Sequence, residues 1–147
     1  AHYKEIPHPE DAINQLATSS PEEVYRFFRD LKPLAGGQHI IHWLRKNNIE
    51  FTVLSAPLRG EYKEASKEGK KDWLDEHNPG TSESAIFTSK KQQYAVNDGE
   101  PQVLVDDFGY YLDNWRDAGG IAVKHDNETT GQTIKELEKI YEPWLTK

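Results

Sequence analysis

Two adjacent carboxylates, Asp106 and Asp107, follow directly on the apolar run Val103-Leu104-Val105. A short β-branched run of this kind reads as a buried strand of about five residues. Carboxylates at the end of a buried strand are costly unless a metal ion, a Lys or Arg, or helix N-terminal amides pair with them. The plainer alternative is that Asp107 caps a helix beginning near Phe108 while Asp106 is solvated in the loop. Three other side chains fall at comparable places. Ser55 follows the run Phe51-Thr52-Val53-Leu54. Lys91, with Lys90 as the second choice, follows Ala85-Ile86-Phe87-Thr88. Lys124 to Asp126 follow Ile121-Ala122-Val123. A hydroxyl and an ammonium suit phosphate oxygens, and a pair of Asp suits Mg²⁺, which takes one or two carboxylates plus water and a substrate phosphate. This is a phosphoryl-transfer set rather than an acyl-transfer one. Ser55 before Ala56-Pro57 also fits plain turn chemistry, Lys91 also fits a solvated surface charge, and Arg59 beside Gly60 is a substrate-binding candidate that also reads as an ordinary exposed Arg.

The elements that must position these residues are readable in order. Residues 1–9 hold two prolines and read as an extended lead-in, and 10–17 as a short helix. Ser20-Pro21-Glu22-Glu23 is a helix start with Ser20 as N-cap, Pro21 at N1 and Glu23 closing a capping box. Val24, Phe27, Phe28 and Leu31 share its inner face, and Pro33 ends it. A helix opens at Gly36-Gly37, carries Ile40, Ile41, Trp43 and Leu44, and closes at Asn47-Asn48. A third covers roughly 62–77, with Tyr62, Ala65, Trp73 and Leu74 inward. Asn78-Pro79-Gly80 and 97–101 are turns, and 90–96 a short helix or loop. Residues 108–118 are helical, with Leu112, Trp115 and Ala118 inward and Gly119-Gly120 at the C-cap. A last helix starts at Thr129 or Thr130, carries Ile134, Leu137, Ile140 and Tyr141, and closes at Pro143. Helices first and then four strand–helix repeats imply an α/β chain with a mostly parallel sheet and helices on both faces. In such sheets the site lies outside the C-terminal ends of the strands, where the residues above collect.

Composition narrows the classes. The 147 residues suit one domain. The net charge is -7 with the acids and bases interspersed, so no basic stripe for nucleic acid is present. No apolar run approaches the length of a membrane span, no signal peptide is seen, and the default compartment is cytoplasmic. The chain has no Cys, which removes disulfides and thiol chemistry. It lacks a Walker-type phosphate loop, and His39 and His42, three apart among apolar neighbours, read as surface or partly buried His rather than metal ligands. It also has no Met, even at position 1, so the translation start is expected upstream.

The chain resembles the haloacid dehalogenase (HAD) superfamily of phosphatases. Within it the chain looks most like the small phage and bacterial proteins related to 5'(3')-deoxyribonucleotidases. The resembling residues are Phe51 to Leu58 for the second motif, Lys91 in Lys91-Gln92-Gln93-Tyr94-Ala95 for the third, and Val103 to Asp107 for the fourth. Trp115 to Ile121 matches the usual continuation. The resemblance covers about residues 3–125. It implies a single domain over 1–147 with a three-layer, doubly wound, mostly parallel sheet (a HAD-like Rossmannoid core) and a small helical cap at about 10–32. It also implies a Mg²⁺-dependent phosphomonoester hydrolase acting on a small phosphorylated substrate such as a nucleotide. On that pattern Ser55 hydrogen-bonds the phosphoryl group, Lys91 neutralises its charge and orients the nucleophile, and Asp106 and Asp107 bind or orient Mg²⁺, with Asp107 the closer ligand. The family's first motif, an apolar strand followed by Asp-x-Asp that supplies the nucleophile, is not found in these residues. That strand is expected upstream or on a partner chain, between the strand at 51–54 and the strand at 102–106. The competing expectations are a catalytically inactive scaffold or binding protein on the same fold, and a sheet closed another way, for example by residues 1–8.

Overall fold

The computed structural model describes residues 20–145, so the lead-in, the short helix at 10–17 and most of the N-terminal half of the cap lie outside the described residues. Two compact units are formed. One holds residues up to Pro33 together with Thr52–Lys90, and the other Leu34–Phe51 together with Lys91 onward. The chain passes between them after Pro33, Phe51 and Lys90.

The first unit is built on α1 (Pro21–Arg29), β1 (Leu54–Ser55), a 3-10 turn (Gly60–Tyr62), α3 (Lys63–His77) and β2 (Ile86–Phe87); α2 (Ala35–Lys46) belongs to the second unit. The capping box at the start of α1 is complete. Ser20 Oγ accepts from the Glu23 amide at 3.2 Å, and Glu23 Oε1 accepts from the Ser20 amide at 3.4 Å. The helix ends at Arg29, two residues before Leu31. The Leu31 carbonyl instead accepts from the Trp73 indole at 2.7 Å, while its side chain still packs on the cluster of Val24, Phe28 and Leu58. The α1–α3 contact is close because Gly69 has no side chain: a Cβ there would lie 2.5 Å from the Tyr25 carbonyl. Tyr25 also donates a short hydrogen bond to Asp72 on α3. That bond is the leading cause that raises the Tyr25 pKa above its ordinary value.

β1 and β2 pair in parallel, Leu54 with Ile86 and Ser55 with Phe87. The strand expected from Phe51 is thus reduced to two paired residues, since among the described residues β1 has a partner on one edge only.

The second unit contains α2 (Ala35–Lys46), β3 (Val96–Asn97), β4 (Glu100–Pro101), β5 (Val103–Asp106), α4 (Gly109–Asp117), β6 (Ile121–Lys124) and α5 (Thr130–Tyr141). Two helices end in Schellman motifs. After α2, the Ile49 amide reaches the Leu44 carbonyl at 2.9 Å and the Asn48 amide reaches Arg45 at 3.1 Å, with Asn48 left-handed at φ 55°. After α4, Gly120 reaches Trp115 and Gly119 reaches Arg116, both at 3.0 Å. Of the positions expected inward on α4, Leu112 and Trp115 are buried. Ala118 is exposed at the C-cap, and Tyr111 takes the inner place instead. The turn at 97–101 proves to be a hairpin, β3 antiparallel to β4, closed by Asp98 and Gly99 at φ 50° and 78°; two successive positive φ values mark the tight hairpin turn.

β5 pairs with β6 in parallel over four residues, from Val103–Ile121 to Asp106–Lys124. The Gln102 carbonyl fixes this register by accepting both the Ile121 amide and the Trp115 indole, each at 2.9 Å. Ile40, Val123 and Leu137 form the core beneath, with Val103, Val105, Ile134 and Ile140 packed on it. The architecture is therefore mixed α/β with short parallel strand pairs. Among the described residues no helix is long and apolar enough to cross a membrane.

Candidate functional site

The parallel strands bring chemistry-bearing residues to their C-terminal ends in both units. In the second unit β5 ends at Asp106 and the chain turns into α4. Asp106 is fully engaged. Its Oδ1 accepts the amides of Asp107 and Phe108 at 2.7 and 3.1 Å, and its Oδ2 accepts from Lys91 Nζ at 2.7 Å. The two side chains are 10% and 7% exposed, so this is a buried ion pair rather than a solvated one. Lys91 Nζ also lies 4.3 Å from the centre of the Tyr111 ring, a cation–π contact. The carbonyl of Asp106 accepts the His125 amide at 2.9 Å. The reading of Lys91 as a surface charge is thus replaced by a buried one, and Asp106 makes cap-like bonds at the turn. Asp107 is half-buried beside it.

In the first unit Ser55 ends β1, and its partner was not anticipated. Lys70, on α3, donates to Ser55 Oγ at 2.9 Å and to the Ala56 carbonyl at 2.6 Å, and stands 5.0 Å from the Phe28 ring centre. No local pattern marks it: Lys70 sits on the flank of the inner face that Ser66, Gly69 and Leu74 make, in a helix rich in charged residues. Ser66 Oγ in turn accepts the Leu58 amide at 3.0 Å and donates to the Lys63 carbonyl at 2.8 Å. The loop after β1 is therefore tied to α3 at Ala56 and at Leu58. Arg59 follows, exposed, on the rim of a cavity of about 350 Å³ that Lys63 and Lys90 also line.

The expected residues thus form two sets. Lys91 and Asp106 are bonded to each other with Asp107 adjacent in the second unit; Ser55 and Arg59, with the unexpected Lys70, belong to the first. At the end of β6, His125 Nδ1 lies 3.2 Å from Thr133 Oγ1. Burial lowers the His125 pKa, partly offset by the charge of Asp126. His39 and His42 are exposed on α2.

For a divalent cation the donor set offers Asp107. Asp106 already has one oxygen on two amides and the other on an ammonium, so it can hold the loop in shape but has little left for a metal. Among the described residues no group of three or more His, Cys, Asp or Glu could hold a metal ion. Mg²⁺ accepts such a sparse set when substrate and water complete it. The chain matches no family model, no curated protein and no solved structure.

Proposed function

We propose that the chain is the core of a Mg²⁺-dependent phosphomonoester hydrolase of the haloacid dehalogenase type, nucleotidase-like in substrate, whose nucleophilic Asp lies outside this chain. The observation that carries the reading is the buried Lys91–Asp106 pair, at the C-terminal end of a parallel strand and immediately before Asp107. Phosphoryl transfer depends mainly on positioning and on charge neutralisation, and this arrangement fixes a cation and a carboxylate with little rotational freedom. An ammonium has three donors, so the bond to Asp106 leaves Lys91 capacity to donate to a phosphoryl oxygen and to the nucleophile. Ser55 hydrogen-bonds the phosphoryl group, its hydroxyl oriented by Lys70. Asp107 is the carboxylate that would hold Mg²⁺, which when bound would neutralise phosphoryl charge. Asp106 acts through the loop and Lys91 rather than as a principal ligand. A strand from outside the described residues, upstream or on a partner chain, would supply the nucleophile.

A second reading, a non-catalytic scaffold on the same fold, is favoured by one fact: no apolar strand followed by Asp-x-Asp occurs in the 147 residues. Thermal melting of the natural polypeptide with and without Mg²⁺ separates the two. Ligand linkage requires Mg²⁺ to stabilise the enzyme at concentrations above its Kd, and the scaffold does not require it. Hydrolysis of an aryl phosphate, lost in Asp107→Asn, is the direct test of the first reading.

A further inference from the structure

The cavity beyond β1 and β2 is chemically distinctive. Its volume, about 350 Å³, is at the small end for ligand sites. Among the described residues three cations line it, Arg59, Lys63 and Lys90, and no carboxylate does. Among the described residues none of the three makes an ion pair, although the chain carries a net charge of -7. Like charges gathered at one concave place repel one another unless an anion joins them.

Other features of the same place favour an anion too. Gly60, left-handed at φ 67°, makes the turn that leads from Arg59 into the 3-10 turn and α3. The α3 helix is 15 residues long and its N-cap residue, Tyr62, makes no side-chain cap bond, so its positive end adds to the field. The Thr88 hydroxyl accepts the Lys90 amide at 3.0 Å, which leaves its proton available to donate. Part of the lining is apolar: the half-buried Phe87 and Pro57 stand beside the cations.

We propose that this cavity binds a small organic anion carrying two or more negative charges, its charged group held by Arg59, Lys63 and Lys90 and its body packed on Phe87. If the phosphatase reading holds, the substrate class narrows to phosphomonoesters bearing a second anionic group, such as a bisphosphate. That narrowing rests on the phosphatase reading, whereas the anion site does not.

The test is titration calorimetry on the intact protein in EDTA, with inorganic pyrophosphate against inorganic phosphate as probes. Pyrophosphate is expected to bind at least about tenfold more tightly than phosphate. The exposed triple variant Arg59→Gln, Lys63→Gln, Lys90→Gln should lose at least about tenfold in pyrophosphate affinity, and Lys90→Gln alone should lose part of it. Asp107→Asn should bind pyrophosphate as the wild type does. Equal affinity for the two probes, unchanged binding by the triple variant, or loss of binding in Asp107→Asn would each overturn the proposal. Phosphate release is read separately. Pyrophosphate binding that needs the three cations, in a protein that hydrolyses nothing, supports the anion site and removes the phosphatase reading.

Discussion

The Lys91–Asp106 pair gives the sharpest energetic prediction. Replacing Lys91 with Met keeps the stem volume and removes the charge. Asp106 Oδ1 keeps its two amides, but Oδ2 loses the ammonium at 2.7 Å in a position only 10% exposed. Breaking a buried pair by removing one partner costs about 3–5 kcal/mol. The two surviving amide bonds place Lys91→Met at about 3 kcal/mol, the lower end of that range. In Asp106→Asn the amide oxygen can still accept the amides of residues 107 and 108, and the stranded group is the Lys91 ammonium over Tyr111. A double-mutant cycle isolates the pair, because removing both charges leaves neither stranded. We expect a coupling energy of about 2–3 kcal/mol, against about 0.2–1 kcal/mol for an exposed pair. Urea denaturation followed by the fluorescence of Trp115, 3% exposed in the same unit, supplies the four free energies. A coupling below about 0.5 kcal/mol would mean that the pair behaves as a solvated one, and the argument for a fixed cation at the end of β5 would fail.

Three further perturbations test the fold around the site. His125 is held below its ordinary pKa by burial, so the folded imidazole resists the proton that the unfolded chain accepts near pH 6.5; stability should be fully present above that pH and fall as pH drops through it, and His125→Asn should flatten that part of the urea-midpoint profile. Gly69→Ala should destabilise by about 1–3 kcal/mol despite gaining up to about 1 kcal/mol in helix propensity, because its Cβ would meet the Tyr25 backbone rather than a movable side chain; increased stability in thermal melts would contradict the close α1–α3 contact. Ser20→Ala should cost about 1 kcal/mol through loss of the capping box, read as a lower urea midpoint.

What the sequence made legible follows from how local each signal is. The start of α1 and the ends of α2 and α4 were readable because Ser20, Asn48 and Gly119 act within a turn of their own position. The apolar faces of α2 and α5 were readable from period alone. Lys91 and Asp106, which the structure pairs, drew attention in the sequence because residue type and placement after an apolar run coincide. The partner of Ser55 was not found, since Lys70 lies fifteen residues away and a Lys in a charged helix gives no sign of which way it turns. Tyr111 was missed for a similar reason: α4 pivots about Trp115, whose indole is tied to Gln102, and that long-range bond selects the inner face. The extents of β1 and β2 were overestimated because strand length depends on the ladder, and a ladder is a property of two segments.

The most direct test of the central claim is Mg²⁺-dependent phosphate release from an aryl phosphate by the natural polypeptide, compared with its Asp107→Asn variant. Turnover is expected to need Mg²⁺ and to fall by about 100-fold or more in Asp107→Asn, a loss of about 2.7 kcal/mol or more in transition-state stabilisation. Undiminished turnover in Asp107→Asn, or none in the wild type with Mg²⁺ present, would contradict that claim.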